Sequence, residues 1–210
     1  MLEALTGAGL AASAGLNAWI PLLVIGLLNR FTDLITLPHG WAWLSNGWVL
    51  LILAVLLGVE VVADKVPVLD SVNDAIHTVI RPTAGGIAFG ASSESQTVTV
   101  TDPGSFFHSH QWIPIASGAL IALCLHGVKA TVRPVANTVT VGTAAPVLST
   151  VEDIFSTVMS VIAVVIPILV IGCLALLGFA VWRVRKRAKR RKAEKAAAKA
   201  ARRVDLENWQ

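Results

Sequence analysis

PVLDSVNDAIHTVIRP, residues 67–82, is the stretch that decides how this chain is read. Asp70, Asp74, His77 and Arg81 follow one another at spacings of 4, 3 and 4. At about 100° per residue, side chains so spaced fall within about 60° of one another on a helix, in a stripe about 16 Å long. The other faces of that helix carry Val, Ile and Ala. Pro82 removes the backbone bond to the carbonyl of Thr78, and Gly85 and Gly86 let a second helix come close. An apolar helix with a single ionisable edge is what a membrane span looks like when its charges face the protein interior rather than lipid.

The rest of the chain agrees. Of 210 residues, 55% are hydrophobic and 14% charged, where soluble domains hold about 25% charged residues. Mean hydropathy is +0.70. The expected fold is an all-α, polytopic transmembrane helix bundle of about five spans. They lie at about residues 5–28, 48–65, 69–91, 112–133 and 149–182, each near the 20 or so residues that cross a bilayer. The last run exceeds one span, so it either begins at the surface or bends at Pro167. Trp41, Trp43 and Trp48 read as an interfacial anchor. Cys124 and Cys173, in separate apolar runs, read as unpaired core thiols.

Charge is divided along the chain. Residues 183–210 hold 12 of the 17 Lys and Arg and 3 of the 13 Asp and Glu, a surplus of nine positive charges, while residues 1–182 carry a net −5. The domains are thus a membrane body, 1–182, and a basic tail, 183–210. The tail sets the C-terminus in the cytoplasm. Met1-Leu2-Glu3 lacks the basic region of a signal peptide, so the first apolar run is expected to be retained. Arg30 obeys the positive-inside rule. Lys65 and Arg133 do not, and are expected to be held by partners.

Pro67–Val79 and Pro146–Val158 align without gaps at Pro, Val, Leu, Val, Asp, Thr and Val. Two crossings separate the copies, which predicts a duplicated helical hairpin in parallel orientation.

Each span contributes ionisable or polar groups on one face: Ser13 and Asn17 on the first, Glu60 and Asp64 on the second, His126, Lys129 and Arg133 on the fourth, and Ser149, Asp153, Ser156 and Ser160 on the fifth. With Asp70, Asp74, His77 and Arg81 they gather toward one half of the bilayer. Hydrocarbon cannot solvate them, so they must face each other or water. The candidate polar-interior residues are therefore Asn17, Glu60, Asp64, Asp70, Asp74, His77, Arg81, His126, Lys129, Arg133 and Asp153.

Several functions fit such a cluster. A transporter or channel for a small ion or solute uses it as a pathway, with His77, His126 and Asp74 relaying protons. A structural or assembly protein uses it as an ion-pair network. Arg81, Lys129 and Arg133 could hold the phosphate of an anionic lipid. Asp70, Asp74 and His77 could offer O, O and N to a metal, against competition from the same three bases. No nucleotide-binding loop, G-x-S-x-G, H-E-x-x-H or C-x-x-C occurs, so no enzyme is expected. The expected partners are the bilayer, a small ion or solute, anionic lipids at the tail and a second copy in a homo-oligomer. No cofactor and no nucleic acid are called for.

Leu16-Asn17-Ala18 with Pro21-Leu22, Ala63-Asp64-Lys65 with Pro67, Asp70, Asp74, His77 and Arg81-Pro82, then His126, Lys129-Ala130, Arg133, Asn137 and Glu152-Asp153, resemble a bacterial membrane family. It is the family catalogued as domain of unknown function 4126. The resemblance covers roughly Leu5 to Gly172. It implies a multi-pass inner-membrane protein and no particular activity. The basic tail and the 92–110 insertion look peculiar to this chain.

Overall fold

The structure, a computed structural model, describes residues 1–65, 67–93, 110, 112–140, 144–179, 182, 183 and 186, without the side chains at 67–72, 132, 134–140, 144 and 145. Most of the 92–110 insertion and of the basic tail lies outside the described residues, as does the side chain of Asp70. All regular structure among the described residues is helical. The helices are α1 (Leu2–Leu16), α2 (Trp19–Phe31), a short 3-10 helix (His39–Ser45), α3 (Gly47–Ala63), α4 (Pro67–Ser92), α5 (Trp112–Thr140), α6 (Ala144–Val165) and α7 (Leu169–Phe179). The chain divides into two compact units, Met1–Ile171 and Gly172–Gln210. In the second, Lys186 Nζ lies 4.7 Å from the centre of the Trp182 ring, which also packs on Phe179.

Two helical stretches, Trp112–Thr131 and Pro146–Val165, are long and apolar enough to cross a membrane. The 3-10 helix and α3, bent by 60° at their junction, make a third if taken as one span. α4 covers the stretch Pro67–Ser92, and α5 begins at Trp112. One expectation does not hold. The first span is not one helix: it breaks at Asn17, whose backbone is extended (φ −141°, ψ 122°). The last run breaks at Pro167, one of the two courses expected for it, because Pro cannot supply the N–H that a continuous helix needs.

Solvent exposure is inverted relative to a water-soluble protein. Leu51, Ile52, Val55, Val59 and Val62 of α3 are exposed, as are Val147, Val151, Ile154, Val158 and Val161 of α6. Arg81, Arg133, Glu60 and Asp64 are buried. Exposed apolar surface on that scale marks contact with a membrane or a partner.

The middle of the first unit is α1, a helix of Gly, Ala, Ser and Leu that is buried from Thr6 to Leu16 apart from Ala8. Small side chains let three helices reach it. A Cβ on Gly15 would stand 2.6 Å from the carbonyl oxygen of Ala122 on α5. Gly7 faces Phe89 of α4, and Gly9 faces Ala163 of α6. α4 and α5 cross at Gly85 and Gly118, where a Cβ on Gly118 would strike the Gly85 carbonyl. Trp43 and Trp48 are exposed, whereas Trp41 packs on Gly90. Both cysteines are free, and Cys124 is exposed on α5 rather than in the core.

Candidate functional site

The break in the first span is built by Asn17. Its side-chain oxygen accepts from the backbone N–H of Trp19 (3.1 Å) and Ile20 (3.3 Å), capping α2. Its amide donates to Asp153 Oδ1 of α6 at 2.9 Å. Ser13, one turn earlier, is within 2.6 Å of the hydroxyls of Ser156 and Ser160 and donates to the Ser156 carbonyl at 2.7 Å. The two faces expected on the first and fifth spans therefore meet directly. At the carbonyl end of α1, Leu16 O accepts from Lys129 Nζ at 3.2 Å.

A first ion-pair group joins α3, α4 and α5. Arg81 Nη2 donates to Glu60 Oε1 at 2.8 Å, and Arg81 Nη1 lies 3.5 Å from Asp74 Oδ1. The same Nη1 donates to His126 Nδ1 at 2.8 Å. A guanidinium only donates, so His126 Nδ1 must be the accepting nitrogen and the imidazole is neutral, with its proton on Nε2. That proton points to Thr78 Oγ1 at 3.1 Å, and Thr78 in turn donates to the Asp74 carbonyl at 3.0 Å. With Nδ1 engaged by a fixed cation, His126 cannot pick up a proton unless Arg81 moves away, which goes against a relay through this residue. His77 differs. It is buried, its ring meets Trp19 edge-on, and Nδ1 lies 3.6 Å from Glu60 Oε1, beyond hydrogen-bond range. His77 Nδ1, Glu60 Oε2 and Arg81 Nε have no hydrogen-bond partner among the described residues.

A second group joins α3, α5 and α6. Asp64 Oδ2 accepts from Lys129 (3.0 Å) and Arg133 (2.9 Å), while Asp64 Oδ1 accepts from Asn73 at 2.7 Å. Glu152 Oε2 pairs with Arg133 at 2.6 Å and Lys129 at 3.2 Å. Arg133 is thus held by partners, as its position against the positive-inside rule suggested. Lys65 is exposed, and among the described residues it donates only to the Val61 carbonyl.

Of the candidate residues, Asn17, Glu60, Asp64, His77, Arg81, His126, Lys129 and Arg133 are buried, and Asp74 and Asp153 are half-buried. Asp70 lies outside the described side chains. Among the described residues no group of three His, Cys, Asp or Glu is placed to hold a metal. Asp74 contacts Arg81, and His77 lies against Glu60, so these two metal candidates serve different neighbours. The three bases proposed for lipid phosphate are all engaged by carboxylates.

Sequence reasoning left Glu152, Asn73 and Thr78 out of the candidate set. Glu152 directly precedes Asp153 and lies about 40° beyond the edge of the stripe of Ser149, Asp153, Ser156 and Ser160, and it meets Arg133 of α5 at 2.6 Å. The adjacent Glu152-Asp153 pair in an apolar helix was its available signal.

Searches of curated proteins and of solved structures give no match for this chain. The family described as Domain of unknown function (DUF4126) matches residues 4–187, which take in every residue of both ion-pair groups and the Asn17 break, and the chain belongs to that family.

Proposed function

We propose that this is a multi-pass bacterial inner-membrane protein that moves a small ion or solute through its charged interior. The observation that carries the reading is the interrupted helix α1–α2, whose open carbonyl end and capped N-terminus face Lys129 and Asp153. Half-helices meeting at an ionisable interior are how transporters bind solutes within the bilayer. Interrupting a buried helix is costly unless its freed groups find partners. The orphaned Glu60 Oε2 and His77 Nδ1 add a place where the interior is incomplete. Proton coupling runs through His77, beside Glu60, and through Asp74, not through His126.

Five crossings fit this reading: α1–α2, the bent pair ending in α3, then α4, α5 and α6. α4 is long enough, at 26 residues or about 39 Å, and His77 and Arg81 on it are buried. The duplicated hairpin rests on the gapless match of Pro67–Val79 with Pro146–Val158. The basic tail is assigned to the cytoplasmic face, against anionic lipids.

Proteoliposomes assayed for solute flux under an imposed pH gradient test the reading. Flux that survives Asp74→Asn and His77→Ala unchanged removes the relay, and the absence of any flux removes transport. A second reading, a structural or assembly network, draws on one observation: the cations of both groups sit in direct pairs at 2.6–3.2 Å. It expects a stable partner in mild-detergent pull-downs and no flux.

A further inference from the structure

The open end of α1 is already occupied by a cation, and that cation belongs to the protein. Lys129 Nζ stands 3.2 Å from Leu16 O, 3.0 Å from Asp64 Oδ2 and 3.2 Å from Glu152 Oε2. An ammonium carries three N–H donors and no acceptor, so these three oxygens satisfy it fully. They come from three separate elements: the last residue of α1, the residue that ends α3, and α6. Asn17 turns the chain to an extended conformation immediately after Leu16, which leaves the Leu16 carbonyl open to a donor from outside the helix.

The charge and the size of this cage narrow what it accepts. Arg133 also pairs with both Asp64 and Glu152. With Arg133 in place, the two carboxylates leave a single negative charge for the third partner, which suits a monovalent cation. Ca²⁺ takes about six to eight oxygen ligands and Mg²⁺ about six, where this cage offers three. The distances are those of N–H donors.

We infer that the Leu16 carbonyl, Asp64 and Glu152 form a monovalent-cation site in which the Lys129 ammonium is the resident, and that the solute is a small ammonium-type cation that takes its place. The second half rests on the transport reading; the first does not. Lys129 can withdraw because its charge is carried on a flexible four-carbon stem. Entry and exit of the solute then exchange one positive charge for another, so the cage is never left unpaired.

The test uses Lys129→Ala of the full chain in detergent, with its melting midpoint compared in methylammonium chloride and in choline chloride at equal ionic strength. Methylammonium presents three N–H donors, while choline is bulky and offers none. The variant should melt below the parent in choline. At about ten times its Kd, methylammonium should raise the midpoint by about 3–6 °C, corresponding to a roughly tenfold shift in the folding equilibrium. Lys129→Ala combined with Glu152→Gln removes the surplus negative charge and should show no methylammonium response. Equal midpoints in the two salts, failure to recover folded Lys129→Ala even in methylammonium, or an equal response from the double variant would each overturn the site. Charge movement by parent proteoliposomes on a methylammonium jump at fixed pH tests the solute. Rescue without current keeps the cage and overturns the solute assignment. Current without rescue keeps transport and overturns the cage.

Discussion

Asp64→Ala is the substitution for which the structure gives the largest expected loss. Oδ2 of Asp64 binds Lys129 and Arg133 at 3.0 and 2.9 Å, and Oδ1 binds Asn73 at 2.7 Å. Hydrogen bonds involving a charged group contribute about 1.5–3 kcal/mol each, so three set a ceiling of roughly 5–9 kcal/mol. The net figure is smaller, because Glu152 stays within 2.6 Å of Arg133 and 3.2 Å of Lys129 and still neutralises one of the two bases. One buried cation is left unpaired, which costs about 3–5 kcal/mol. At about 2–4 °C per kcal/mol for a chain of this length, the melting midpoint in detergent should fall by about 6–20 °C. Asp64→Asn together with Lys129→Met removes charge from both sides and should recover most of that loss. The adjacent Lys65 is the control: it is exposed and, among the described residues, bonds only the Val61 carbonyl, so Lys65→Ala should shift the midpoint by no more than about 2 °C. A melt of Asp64→Ala within that same margin would mean that water already solvates the network, and the argument from burial would fail.

Three other outcomes are expected. Gly118→Val should prevent α4 and α5 from closing, because even a Cβ there strikes the Gly85 carbonyl; size-exclusion of the detergent-solubilised protein should report aggregation or loss of the monodisperse peak. Asn17→Ala should cost about 1 kcal/mol for the lost α2 cap, and more because Asp153 loses the Asn17 amide, measured as a lower midpoint than Asn46→Ala, which removes only the cap of α3. Ala198→Cys, in a background where Cys124 and Cys173 are replaced by Ser, should react with a membrane-impermeant maleimide only in inverted vesicles; labelling in intact cells would overturn a cytoplasmic tail.

The pairing of Arg81 explains why a helix stripe read from sequence is not yet a pathway. Asp74, His77 and Arg81 share one edge of α4, and their spacing alone says that they point the same way. Their roles differ because α3 and α5 meet that edge with different groups. Glu60 takes one arm of Arg81 and His126 the other, while His77 is turned to Trp19 and left short of Glu60. Two histidines that look equivalent in an apolar sequence are thereby separated into one fixed in its neutral tautomer and one with an open nitrogen.

The residues themselves determined that this chain is helical, that it is made for hydrocarbon, and that the stripes of acids and bases within its apolar helices turn inward. Each of these follows from local spacing and from the cost of charge in an apolar medium, neither of which needs a partner helix to be known. The Asn17 break was not legible in that way. An apolar run such as Leu5–Leu28 has the same hydropathy whether straight or interrupted, and Ser13, Asn17 and Pro21 read equally well as a polar edge. Only the tertiary structure decided it, because the interruption is stable where Asp153, Ser156, Ser160 and Lys129 arrive from other helices to satisfy the groups that it frees. The same holds for Glu152, which lies at the edge of its own helix stripe and whose partners, Lys129 and Arg133, come from α5.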